Sequence, residues 1–131
     1  MTSLNDKAIA DARSALESFM NAVNAEDTHA IKTRWFHFPH VRIHSGKITL
    51  MNSADDYVSP VITRQGQAAE WARSTWDYIE AIDSGPEKVH FRVQFSRFRS
   101  DDSLIGSYKS LYIVAFKEGR WAIQARSSWA E

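Results

Sequence analysis

No cysteine occurs among the 131 residues. Disulfides, thiolate metal sites and a cysteine nucleophile are excluded, and a cytoplasmic home fits. Neither sign of charge is in excess, because 16 Lys and Arg balance 16 Asp and Glu. A balanced chain lacks the basic surplus that nucleic acid or an anionic membrane demands, so neither is expected as a partner. It also has no self-repulsion to oppose association with a second copy. No apolar run approaches the roughly 20 residues of a membrane span. The opening MTSLNDKAIADARS mixes charges with small side chains and contains no apolar block of a secretory signal. Phosphate-loop and dinucleotide-binding motifs are missing, so no cofactor is implied. Without repeats, linkers or low-complexity segments, residues 1–131 read as a single domain.

What is present is the profile of a globular protein, 44% apolar and 24% charged. Ile9, Ala12, Leu16, Phe19, Met20 and Val23 recur at helical spacing and predict an N-terminal helix. Asp27 can cap a second, short helix over THAIKTRW. From Trp35 the chain turns aromatic and β-branched. WFHFPHVRI and KITLM predict a hairpin about Ser45-Gly46. NSADDYVSPVIT is polar and without period, a loop. Ala69, Ala72, Trp76, Ile79 and Ile82 form one stripe and predict a second long helix ended by Asp83-Ser84-Gly85-Pro86. Three consecutive strands follow: KVHFRVQFSRFR, LIGSYKSLYIVAFK and WAIQARSSW. Phe98 breaks the parity of the first and points to a bulge near Ser96-Arg97. Helices segregated from a mostly antiparallel sheet define the α+β class.

The stretches LESFMNAVNAEDTHAIKTRW, FPHVRIHSGKI and the closing GRWAIQARSSW carry a resemblance to the nuclear-transport-factor-2-like superfamily, which includes SnoaL-like cyclases, ketosteroid isomerases and scytalone dehydratases. The resemblance covers nearly the whole chain. It implies a cone-shaped fold with N-terminal helices packed in a strongly bent sheet. It also implies a ligand pocket between sheet and helices, and a homodimer through the outer sheet face. The aspartate, tyrosine and protonated aspartic acid of ketosteroid isomerases have no matching positions here.

The candidate functional residues begin with a cluster of histidines, His37, His40 and His44. His40, Arg42 and His44 share one face of a regular strand. A permanent cation between two histidines opposes a divalent metal, so no metal site is expected. His37 and His44 read as half-exposed strand-end residues. His40 opens a strand whose Val41 and Ile43 are expected to face the core. It is the candidate for general acid–base work, having an ordinary pKa of about 6.5; the alternative is a buried histidine satisfying a backbone group. Arg126 near the end of the last strand requires a counter-charge if buried. Asp77, Glu80, Glu70 or a ligand carboxylate could supply it. Tyr112 and Tyr57 offer hydroxyls able to polarise a carbonyl, and Gln124 and Trp76 join Arg126 and Tyr57 as candidate ligand contacts. His90, Arg92 and Gln94 form a polar row expected on the outer face. Ser127 and Ser128 have no triad context.

Two readings result. One is a small-molecule-binding protein, in its enzymatic form a cofactor-independent isomerase or dehydratase on an apolar carbonyl or cyclic substrate. In it His40 moves the proton, Tyr112 holds the oxyanion and Arg126 orients the ligand. The other is a non-catalytic homodimeric binding or scaffold module.

Overall fold

The computed structural model describes residues 4–58 and 70–129. Helix α1 spans Leu4–Asn24, and a single helical turn α2, Thr28–Ala30, is capped by the Asp27 side chain on the Ala30 amide. A π-helical turn, Ile31–Trp35, leads into the sheet. Six strands follow: β1 Phe36–His44, β2 Lys47–Met51, β3 Arg73–Gly85, β4 Lys88–Phe98, β5 Leu104–Lys117 and β6 Arg120–Ser128. They form one mixed sheet in the order β2-β1-β6-β5-β4-β3. Only β1 and β6 run parallel; every other pair is antiparallel. The α+β class follows directly. No helix among the described residues is long and apolar enough to cross a membrane.

The helix packs on one sheet face. Ala8, Ala12, Ala15, Leu16, Phe19 and Ala22 are buried along it, meeting Phe36, Val89, Phe91, Val93, Val114 and Ile123 from the strands. Small alanines on the helix let the backbone approach the sheet, while the larger strand residues fill the layer between. Polar bonds fix the helix along β3: Arg13 donates to Ile79 O at 2.6 Å, and the Trp76 indole donates to Leu16 O at 3.1 Å. The β5–β6 turn uses Glu118 and Gly119, both at positive φ, as a tight two-residue hairpin demands.

The first helix, the hairpin about Ser45-Gly46 and the three-strand meander stand where the sequence pattern puts them. The second long helix does not. Residues from Arg73 onward form β3; Ala69 lies outside the described residues. The physical reason is two bulges, between Trp76 and Tyr78 and between Ala81 and Asp83. Each inserts one residue, so Ser74, Trp76, Ile79 and Ala81 all face the helix at steps of two and three. That mixture imitates a helical stripe. Two further expectations are corrected. Val41 and Ile43 are half-buried and belong to neither apolar cluster; the inward residue of β1 is His40. His37 is fully buried, its Nε2 lying 3.1 Å from Ala115 O and 3.2 Å from Arg120 O.

Candidate functional site

The inner sheet face is apolar at one end and polar at the other. Alternation along the strands, reset on β6 by an extra residue at Gln124, produces this division. Toward the ends of the parallel strands β1 and β6, His40, Arg42 and His44 share a side with Arg126 and Ser128. The register pairs Arg42 with Arg126 and His44 with Ser128. On β5, Tyr112 is opposite Arg126 and Ser110 is opposite Ser128. On β4, Arg97 continues the inward series of Val89, Phe91, Val93 and Phe95 and is itself buried.

His40 is at the centre of this region and is completely buried. Its ring stacks on Phe36 at a centroid distance of 4.0 Å. Both nitrogens are engaged: Nδ1 lies 3.0 Å from Ile123 O, and Nε2 lies 3.1 Å from Arg126 Nε. An arginine only donates and a carbonyl only accepts, so the ring is the neutral tautomer carrying its proton on Nδ1. Burial, reinforced by the Arg126 charge, lowers the His40 pKa to about 3. Acid–base work at Nε2 therefore begins with displacement of the Arg126 donor. Burial, and next the charge of Arg120, also lowers the pKa of His37.

Arg126 stands over the Phe36 ring at 4.8 Å, a cation–π contact. The acids expected as its partners are spent elsewhere. Asp77 accepts from Gln94 and Ser96, Glu80 pairs with Arg92, and Glu70 pairs with Arg99. Arg92, with its row on the outer face, is exposed as the alternation predicts. Tyr112 is buried and meets Trp76 edge-on at 5.5 Å and Phe19 at 6.3 Å. Tyr57 closes edge-on to Phe36 at 5.4 Å. Gln124 accepts from Lys117 Nζ and donates to Pro39 O, so its amide is occupied within the sheet. The structure thus gathers His40, Tyr112, Arg126, Tyr57 and Trp76 around Phe36 and the polar end of the inner face. Ser128 is buried there as well.

Two residues that sequence reasoning did not weigh as ligand contacts belong to the same surface. Arg42 is half-buried; burial, and then the charge of Arg126, lowers its pKa. Arg97 is only 7% exposed, its guanidinium lying 5.1 Å from the Tyr108 ring centroid and 5.6 Å from that of Phe95. Burial lowers its pKa too, and Arg126 adds to the effect. Gly106 makes room for this stack: a Cβ there would lie 2.6 Å from the Tyr108 hydroxyl. The available signal for Arg97 was its parity with Val89 through Phe95. Among the described residues no group of His, Asp and Glu is placed to hold a metal ion.

Solved structures share the architecture. An NTF2-like protein with a cystatin-like fold from Novosphingobium aromaticivorans superposes with a TM-score of 0.70 at 12% identity, covering 91% of this chain and 79% of its own. A ketosteroid isomerase-like protein from Erwinia carotovora atroseptica gives 0.65 at 13% identity, covering 91% and 92%. An NTF-2 like protein from Shewanella oneidensis gives 0.64 at 18% identity, covering 92% and 98%. Identities this low establish the shared fold alone. No curated protein matches the chain. The model of one family, described as NTF2-like protein (DUF6841), matches residues 10–128, and the protein belongs to that family.

Proposed function

We propose that the protein is a cytoplasmic small-molecule-binding domain whose ligand sits on the polar end of the inner sheet face. The observation that carries this reading is the adjacency of Tyr112 and Arg126 on neighbouring strands, with Trp76 and Phe36 beside them. A rigid aromatic surface with a few placed polar groups is the chemistry of a small-molecule site. His40 acts here as a positioning residue that holds Arg126 through Nε2. The Tyr112 hydroxyl is the donor for a ligand oxygen. Isomerase or dehydratase chemistry on a carbonyl or cyclic compound would need no cofactor. It would require a ligand oxygen to draw Arg126 from His40, releasing Nε2 as a base.

The test is fragment screening by NMR, read at the indole N–H of Trp76, which the Leu16 carbonyl fixes in place. Ligands of the inner face should shift that resonance, and Tyr112→Phe and Arg126→Gln should weaken them. Shifts confined to Trp129 on the other side of the sheet would refute the reading.

A homodimer through the outer sheet face accompanies this reading. Ile82, Leu111 and Trp129 are 51%, 38% and 71% exposed there. Ile82, Leu111 and Trp129 border one shallow groove of about 250 Å³. These apolar side chains share the groove with Arg92, Lys109 and Ser127, a mixture of apolar and charged groups with the character of an interface between copies.

A further inference from the structure

We propose that the ligand of the inner face is a ring compound bearing a hydroxyl, and that His44 and Ser110 hold this hydroxyl. This rests on the binding reading above and names the chemistry of its ligand. The two residues stand on β1 and β5, with β6 between them. The register joins them through one residue: Ser128 is the partner of His44 on one side and of Ser110 on the other. All three belong to the inner side, His44 with His40, Ser110 with Tyr112 and Ser128 with Arg126.

Each end of this row holds a buried polar atom. Ser110 is 7% exposed, and its hydroxyl oxygen is shut off from solvent. The Nδ1 atom of His44 is shut off likewise. Among the described residues neither atom has a hydrogen-bond partner. Buried polar atoms are normally satisfied, so two of them on one row of the sheet point to a group that serves both.

The chemistry of the two atoms selects that group. An imidazole nitrogen donates or accepts according to its tautomer, and a serine hydroxyl does either. A ligand hydroxyl donates and accepts at once, so it satisfies the pair whichever tautomer His44 adopts. A carbonyl or ether only accepts, and an ammonium only donates. Each of those serves one tautomer and leaves the other unserved.

The surroundings select a ring. Along the inner side of β5 the order is Tyr108, Ser110, Tyr112, a small residue between two aromatic ones. The β4 partner of Ser110 is Val93, and Phe95 follows on the same side. The Phe95 and Tyr108 ring centroids are 5.5 Å apart. Trp76 meets Phe95 at 6.1 Å and Tyr112 at 5.5 Å, both edge-on. Four aromatic side chains therefore border the Ser110 hydroxyl, a seat for a flat apolar body with one polar end.

The experiment titrates the full chain with phenol, toluene and acetophenone at pH 8, following the Trp76 indole N–H. Each probe is compared with itself across variants, which cancels its own cost of leaving water. Ser110→Ala and His44→Phe should each weaken phenol by roughly three- to ten-fold, the loss of one hydrogen bond, and leave toluene unchanged. If His44→Phe does not fold, Ser110→Ala makes the same measurement. Phenol indifferent to both substitutions, with the Trp76 resonance shifted, would overturn the hydroxyl inference and leave the binding reading standing. So would acetophenone losing as much as phenol at both positions, which would make the head group a carbonyl. If none of the three probes moves the Trp76 resonance, both readings fall.

Discussion

Arg126 gives its Nε–H to a histidine and not to an acid: Nε and His40 Nε2 are 3.1 Å apart. The pair works only while His40 is neutral, since a protonated ring would turn an acceptor into a second cation facing the first. Burial enforces the neutral state more strongly than the neighbouring charge does.

A pH dependence follows with a definite sign. The folded His40 has a pKa of about 3, against about 6.5 in the unfolded chain. Above the unfolded value neither state binds a proton, and the native structure has its full stability. As the pH falls toward the folded value only the unfolded chain takes up the proton. This one group then removes up to about 1.4 kcal/mol per pH unit. His37, whose pKa is also lowered, acts in the same direction. Urea unfolding at a series of pH values should show stability falling between about pH 6.5 and 3. His40→Gln keeps a donor and an acceptor without the titration, so it should flatten the slope; an unchanged slope would assign the acid sensitivity elsewhere.

The Tyr108–Arg97 stack depends on the absent side chain at position 106. Gly106→Ala brings a methyl to within 2.6 Å of the Tyr108 hydroxyl. The ring cannot yield without moving the buried guanidinium that lies over it. A cost of about 1–3 kcal/mol is expected, as for other overpacked sites. Pairing Gly106→Ala with Tyr108→Ala should remove most of that cost in a double-mutant cycle. Additive losses would show that the glycine serves the backbone instead.

Much of this arrangement was legible in the residues. The alternation of Val89 through Phe95 defines the inner face of β4, and the spacing of α1 defines its buried stripe. Strand β3 was not legible, because its two bulges convert a period of two into steps that resemble a helix. The site was legible in part. Arg126 was not placed by alternation, which sets it with Gln124 away from Trp121 and Ile123; an extra residue at Gln124, between Ile123 opposite Val114 and Ala125 opposite Ile113, turns it inward to face Tyr112. Arg97 was passed over because Phe98 disturbs the pattern just beyond it, although simple alternation from Phe95 already turns it inward. The exchange of an acid for His40 as the Arg126 partner could not be read at all. It depends on a parallel pairing of β1 with β6, two segments far apart in the chain.

Asn24 ties the end of α1 to the start of β3 from both sides of its amide. Its Nδ2 donates to Ser74 O at 2.8 Å, and its Oδ1 accepts from Ser74 N at 2.7 Å. Ser74 is buried, so Asn24→Ala leaves a backbone donor and an acceptor unsatisfied. That should cost about 1–3 kcal/mol. Asn24→Asp retains only the acceptor and should fall between. Hydrogen exchange at the Ser74 amide gives the specific readout, faster in the alanine variant and close to wild type in the aspartate. Equal protection in all three would show that the ladder to β4 alone holds the strand.

The outer face yields the last prediction. Leu111 lies at the centre of β5, opposite Arg92 on β4 and Ser127 on β6, with its side chain 38% exposed. On a monomer an aspartate there would meet water and the nearby Arg92 guanidinium, so the fold should tolerate it with little change, within about 0.5 kcal/mol. At the centre of a two-fold interface the same aspartate would face its own copy across the axis, and two like charges would be buried together. Wild type should therefore sediment as a dimer, and Leu111→Asp as a folded monomer with an unaltered Trp76 resonance. A monomeric wild type, or a dimer indifferent to the substitution, would remove this face as the interface. It would leave the inner-face site untouched, since Leu111 and Tyr112 point to opposite sides of the sheet.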